Sequence, residues 1–118
     1  MNVEKLREYC LTKKGVTEGF PFDKTALVMK VGDKMFALIH LDSRPTVIAL
    51  KCNPEYAVEL RERYSAVTPA YHFNKKHWND VTMNGSIAEK DVKVWIDHSY
   101  ELTVKGMTKQ RRMLILDQ

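Results

Sequence analysis

The chain has 118 residues and 13.7 kDa, with 44% hydrophobic and 9% aromatic residues, enough for the core of one domain and too apolar for intrinsic disorder. No apolar run approaches the roughly 20 residues that span a bilayer, and the opening stretch MNVEKLREYCLTKK carries acids where a secretory signal is apolar, so a cytoplasmic protein with no membrane partner is expected. Nineteen Lys and Arg against 15 Asp and Glu give a formal net charge of +4, a mild bias towards polyanionic partners.

Asn2 is placed to cap a first helix, since Val3, Leu6 and Cys10 recur on one face with Glu4, Lys5, Arg7 and Glu8 outside it. Lys13-Lys14-Gly15 reads as its terminus, with cations at the negative dipole end and glycine past it. Gly19-Phe20-Pro21-Phe22-Asp23 then breaks regularity before the first clear strand. Apolar runs at 26–31 and 35–40 flank Gly32-Asp33-Lys34 and predict a hairpin, and a third strand over 46–52 follows Asp42-Ser43-Arg44-Pro45.

Asn53-Pro54-Glu55 supplies a cap, a proline for the first helical position and an acid for the first turn. The second helix then carries Tyr56, Ala57, Leu60 and Tyr64 inward and Glu59, Arg61, Glu62 and Arg63 outward. Strands are predicted over 67–73 and 77–83, closed by Asn84-Gly85, and Ser86-Ile87-Ala88-Glu89 reads as a capping box opening a long last helix. The segment 108–118 joins Lys109, Arg111 and Arg112 to the apolar Met113-Leu114-Ile115-Leu116, and is expected to add an edge strand, pack on a partner chain or remain a loose tail. The predicted order is α-β-β-β-α-β-β-α in a single domain over 1–118: an α+β fold with an antiparallel sheet and its helices on one face.

Strand parity predicts what each face carries. Leu27, Met29 and Val31, then Ile48, Leu50 and Cys52, then Val81 and Met83 form the apolar sets. The opposite face then presents Lys30, Lys51, Trp78, Asp80 and Thr82, with small residues between them. Cations around an aromatic on an open sheet suit a nucleic-acid backbone and a stacked base, and equally suit docking of another protein around Trp78.

The densest signal is Tyr71-His72-Phe73-Asn74-Lys75-Lys76-His77-Trp78. Lysines contact phosphates as point charges, asparagine can read an adenine edge, and aromatic rings stack on bases. The plain alternative is an amphipathic hairpin with Tyr71 and Phe73 in the core and the lysines solvated. His72 and His77 would face opposite sides of a continuous strand with no ligand beside them, so no metal or other cofactor is expected. Cys10 and Cys52 lack metal-ligand spacing and read as reduced, buried thiols. No phosphate loop, nucleophile elbow or zinc-protease motif is present, so no catalytic residue is assigned and no enzyme is expected. A small-ligand or enzymatic site could still assemble from Tyr71, His72, Asp97 and His98.

With these residues in order, the sequence resembles the MmcQ/YjbR family of small bacterial proteins, from Leu6-Arg7-Glu8-Tyr9-Cys10 almost to Arg111. The resemblance is carried by Phe20-Pro21-Phe22-Asp23, Lys34-Met35-Phe36-Ala37-Leu38, Leu50-Lys51-Cys52, Leu60-Arg61-Glu62, Tyr71-His72, Asn74-Lys75-Lys76-His77-Trp78-Asn79 and Trp95-Ile96-Asp97-His98-Ser99-Tyr100. It implies a fold similar to bacterial frataxin, CyaY, and a DNA-binding role for Lys75, Lys76, His77 and Trp78, with the oligomeric state open. Ala70 and Phe73 stand where glycine and methionine are expected. Iron binding does not carry over from the frataxin likeness, because Glu4 and Glu8 are interrupted by Lys5 and Arg7 and make no acidic ridge.

The sequence thus predicts a nucleic-acid-binding module whose contacts are Lys51, Tyr71, His72, Asn74, Lys75, Lys76, His77 and Trp78, assisted by Lys109, Arg111 and Arg112. The alternative is a protein-interaction adaptor built on Trp78.

Overall fold

Asn2 caps α1 (Val3–Leu11) as predicted, its Oδ1 accepting from the Lys5 N–H at 2.9 Å, and Leu6 and Cys10 are fully buried. The computed structural model describes residues 1–117. After α1 the chain enters β1 (Val16–Gly19), a strand with no sequence forecast, because exposed Thr17 and Glu18 leave no apolar alternation to read. β2 (Ala26–Val31) and β3 (Lys34–His40) form the predicted hairpin, turning at Gly32 with φ +61°, a left-handed conformation natural to glycine.

β4 (Val47–Lys51) follows a turn with a cis Arg44–Pro45 peptide, and α2 (Pro54–Arg63) starts where Asn53 Oδ1 accepts from the Glu55 N–H at 3.0 Å. β5 (Val67–Pro69), β6 (Trp78–Thr82), α3 (Glu89–Lys105) and α4 (Lys109–Leu116) complete the order. The six strands make one antiparallel sheet in the order β1-β2-β3-β4-β6-β5. The α+β architecture holds, with one strand and one helix more than the sequence predicted.

Four local expectations are corrected. The strand forecast over 67–73 ends at Pro69, because the Tyr71 N–H turns to the Asp80 carboxylate of β6, at 3.3 Å, instead of continuing the ladder. The strand forecast over 77–83 is shorter as well, spanning Trp78–Thr82. Ser86 does not cap the last helix: its N–H and hydroxyl both bond Asn84 Oδ1, and α3 begins at Glu89 after Ala88, which makes no side-chain cap. The segment 109–116 is helical, neither an edge strand nor a loose tail; Thr108 caps it and Ile115 is its one buried residue.

Parity is as expected, with one irregularity. Leu27, Met29, Val31, Ile39, Ile48, Leu50 and Val81 pack with Leu6, Cys10, Leu60, Val92, Trp95 and Ile96 beneath the helices. Each such side chain contributes about 1.5–3 kcal/mol when fully buried. Between the pairs Met29–Ala37 and Lys30–Met35 the register slips by one, leaving Phe36 as a bulge residue turned into this core.

Ser99 on α3 closes the gap. Its hydroxyl donates to the Phe36 carbonyl and accepts from the Lys51 N–H at 2.9 Å, tying the bulge to the end of β4.

The opposite face carries a second, smaller cluster: Ala26, Val28, Leu38 and Ala49, flanked by Met35, Phe73 and Trp78. α4 docks on the β2–β3 turn, where a side chain at Gly32 would meet Ile115 Cδ1 at 3.4 Å and Arg111 pairs with Asp33. Among the described residues no helix is long and apolar enough to cross a membrane.

Candidate functional site

The loop between β5 and β6 lies over the helix-free face of the sheet and is anchored along its length. Asn74 Oδ1 accepts from the Lys76 N–H at 2.9 Å, and its carbonyl accepts from the His77 N–H at 3.1 Å, so the turn folds on itself. The His77 carbonyl accepts from the Cys52 N–H at 2.7 Å, which stitches the loop to the end of β4.

Arg61 completes the anchoring and corrects its forecast as an outward side chain. Its Nε donates to Asn79 Oδ1 at 2.6 Å, and its Nη2 donates to the Lys75 carbonyl and, at 3.4 Å, to that of Trp78. Asn79 is 2% exposed and its Nδ2 also donates to the Ala57 carbonyl at 3.4 Å. A half-buried guanidinium thus spans α2, β6 and the loop, with planar donors suited to several acceptors at once.

The loop presents its side chains unevenly. Phe73 turns down onto the sheet and stacks on Trp78, ring centroids 4.8 Å apart and planes 23° apart. Trp78 is on the predicted face, but one side of its ring is already occupied. Tyr71, forecast inward in the plain alternative, is 76% exposed instead. Lys75 and Lys76 are exposed, with Lys75 Nζ 3.3 Å from the Tyr71 carbonyl and 5.7 Å from the Tyr71 ring centre.

Among the described residues, no carboxylate lies within ion-pairing distance of Lys51, Lys75, Lys76, Lys109 or Arg112, whereas Arg111 is engaged by Asp33. Lys51 pairs with Trp78 across β4 and β6, so both side chains sit on the loop-bearing face. Lys109, Arg111 and Arg112 stand on α4 against the β2–β3 turn, on a different element from the loop.

His72 is exposed at the loop's other end, its ring 6.0 Å from that of His40 and 4.8 Å from that of Tyr71. Beneath it opens a cavity of about 600 Å³ lined by Phe22, Asp23, His40, Asp42, Ser43, His72 and Phe73, with Thr25, Ala26 and Leu38 as floor and wall. Asp80 lies close by: its Oδ1 is buried without a partner, and burial raises its pKa against the pull of the Tyr71 N–H, His40, His72 and Lys75.

Asp97 and His98 do not join this group. His98 Nε2 accepts from the Asn53 N–H at 3.2 Å and its ring meets Tyr56 edge-on, on the helix-covered side. Asp97 accepts from the Tyr9 hydroxyl at 2.6 Å and pairs with Lys13; burial, then Asp97, push the Tyr9 hydroxyl up to about 12. Both residues are absorbed by helix packing, so the assembly of Tyr71, His72, Asp97 and His98 is not formed.

Cys10 and Cys52 are buried and free, and burial lifts their thiols to about 12 and about 11, which leaves them protonated at neutral pH.

A family profile described as YjbR matches residues 11–102. The YjbR protein of Escherichia coli K12 is 34% identical over 117 residues, covering 98% of each chain. The chain belongs to the YjbR family. The YbdF protein of Escherichia coli O157:H7 is 33% identical over 91 residues, covering 77% of this chain and 75% of its own. A crystal structure of a Deinococcus radiodurans protein, with the family domain DUF419, superposes with a TM-score of 0.91 at 37% identity, covering 97% of this chain and 87% of that one. A Pseudomonas syringae protein matches with a TM-score of 0.76 at 32% identity, over 87% and 99% of the two chains.

Within this YjbR-family chain, Ala70 is buried, and no described residue other than glycine has positive φ, so alanine in place of glycine leaves the approach to the loop unstrained. The residues that sequence reasoning missed are Arg61, Asn79, Asp80 and His40. Arg61 is expected to face outward on the second helix and Asn79 enters only through the resemblance, and their contact across 18 positions has no local signature. His40 ends an apolar run, where a polar residue ordinarily marks a strand terminus.

Proposed function

We propose that this chain is a nucleic-acid-binding module, without catalytic chemistry, that grips phosphates through the loop between β5 and β6. The observation that carries this reading is the exposed pair Lys75 and Lys76, free of carboxylate partners, beside exposed Tyr71 on a loop fixed by Arg61 and Asn74. A fixed loop loses little conformational freedom on binding, so the cations are already placed for phosphate contacts. Lys51 extends the positive surface on the same face, while Lys109 and Arg112 offer a separate, weaker point of attachment.

Base stacking is assigned to Tyr71 instead of Trp78, because Phe73 already covers one face of the indole. For the same reason the adaptor reading loses its proposed anchor. Contacts dominated by phosphates give little sequence preference and affinities on the order of 10⁻⁴–10⁻⁶ M at physiological salt. Backbone amide shifts followed by NMR during titration with a short oligonucleotide test the location. Changes centred on Tyr71, His72, Lys75 and Lys76 are expected; changes centred elsewhere would move the site, and none would remove it.

A further inference from the structure

We infer that the cavity beside His72 receives a single nucleobase, so that the module binds unpaired strands in preference to duplex; this rests on the nucleic-acid reading above. Three separated stretches of chain build it, the end of β3 and the turn after it supplying His40, Asp42 and Ser43. The β1–β2 connection supplies Phe22 and Asp23, and the loop that carries Lys75 and Lys76 supplies His72 and Phe73. Its volume of about 600 Å³ lies in the range of small-ligand sites, ample for a nucleoside.

The distribution of charge separates what binds where. Lys75 and Lys76 lie outside the cavity, whereas its lining includes the carboxylates of Asp23 and Asp42 and no lysine or arginine. A phosphate is repelled from such a lining and held at the lysines. A base is neutral, offers N–H donors that Asp42, Ser43 and the imidazole of His40 can accept, and has an apolar face that Phe22 and Phe73 can cover. Asp23 is partly committed, its Oδ1 accepting from the Thr25 N–H at 2.8 Å and the Thr25 hydroxyl at 2.9 Å.

The path from backbone to base is continuous. Lys75 Nζ stands 5.7 Å from the Tyr71 ring centre, that ring 4.8 Å from His72, and His72 forms part of the cavity wall. A strand clamped at Lys75 can therefore pass over Tyr71 and turn one base inward. A base in a duplex reaches such a cavity only after unpairing and unstacking, which disfavours double strands.

The test compares three labelled probes of equal length, namely oligodeoxyadenylate, its duplex, and an abasic strand with the same sugar–phosphate backbone. Each is titrated against the full chain and against Phe22→Ala. Phe22 is 66% exposed, so its removal leaves the fold intact. The adenylate strand is expected to bind roughly 10-fold more tightly than the abasic strand, and Phe22→Ala to erase most of that difference without changing abasic binding. Equal affinity for adenylate and abasic strands overturns the base site and leaves the phosphate reading standing. If no strand binds even at low salt, the phosphate reading falls, and titration with adenosine decides the cavity separately: amide shifts at Leu38, His40 and Ser43 uphold it, and their absence overturns it.

Discussion

Phe73 lies on Trp78 as a stacked ring pair, centroids 4.8 Å apart, and together they roof the small cluster of Ala26, Val28, Leu38 and Ala49. The loop is therefore packed onto the sheet by its own side chains. Phe73→Ala should lower stability by about 2 kcal/mol, less than the ~3–5 kcal/mol of a fully buried aromatic because both rings are half-buried. Urea unfolding checks this. An unchanged midpoint would mean that the stack contributes nothing to holding the loop.

Arg61 should matter through the loop it anchors. Arg61→Ala leaves buried Asn79 without its strongest donor and frees the Lys75 carbonyl, a cost of about 1–3 kcal/mol. Amide hydrogen exchange at His77 and Trp78 should quicken by more than at strand β2. Lysine at this position restores the charge but not the forked geometry, so Arg61→Lys should recover only part of the loss.

Ser99 is a third structural lever. Ser99→Ala leaves the Lys51 N–H and the Phe36 carbonyl unpaired beneath α3, and should cost about 1–3 kcal/mol by urea unfolding. Retention of full stability would show that the bulge at Phe36 needs no tie to β4.

Burial holds the His98 imidazole below its ordinary pKa of 6.5, with Glu101 pulling the other way. A histidine whose folded pKa is depressed favours the folded state above its unfolded value, and that contribution is lost as pH falls through the folded value. Stability should therefore fall as pH drops below 6.5 through the lower folded value, and His98→Gln should flatten this part of the profile. An identical pH dependence in the variant would contradict the half-buried imidazole accepting from Asn53.

Strand parity made the two sheet faces legible from sequence. Leu27, Met29, Val31, Ile48 and Leu50 alternate cleanly, and all lie beneath the helices. What stayed hidden has physical causes. β1 holds its place by backbone pairing with β2 and by the ion pair of Glu18 with Arg7 of α1, while Thr17 and Glu18 are polar and exposed, so no hydrophobic period marks it. The run Met113-Leu114-Ile115-Leu116 is too short to show a helical period, and only Ile115 is buried.

The candidate site was legible as composition but not as shape. The lysines and aromatics were readable, yet which ring turns inward depends on Tyr71 bonding Asp80 and Arg61 reaching Lys75, contacts between residues 9 and 14 positions apart.

The central claim is that Lys75 and Lys76 grip phosphates, and the salt dependence of binding tests it most directly. Affinity for a labelled single strand is measured from low to physiological salt for the wild-type chain and for Lys75→Ala/Lys76→Ala, with folding of the variant confirmed by circular dichroism. Each phosphate contact contributes about 0.7 to the log–log slope on a single strand, so the double variant should lose about 1.4 units of slope. A folded variant with the wild-type slope would contradict the assignment of this loop as the phosphate grip.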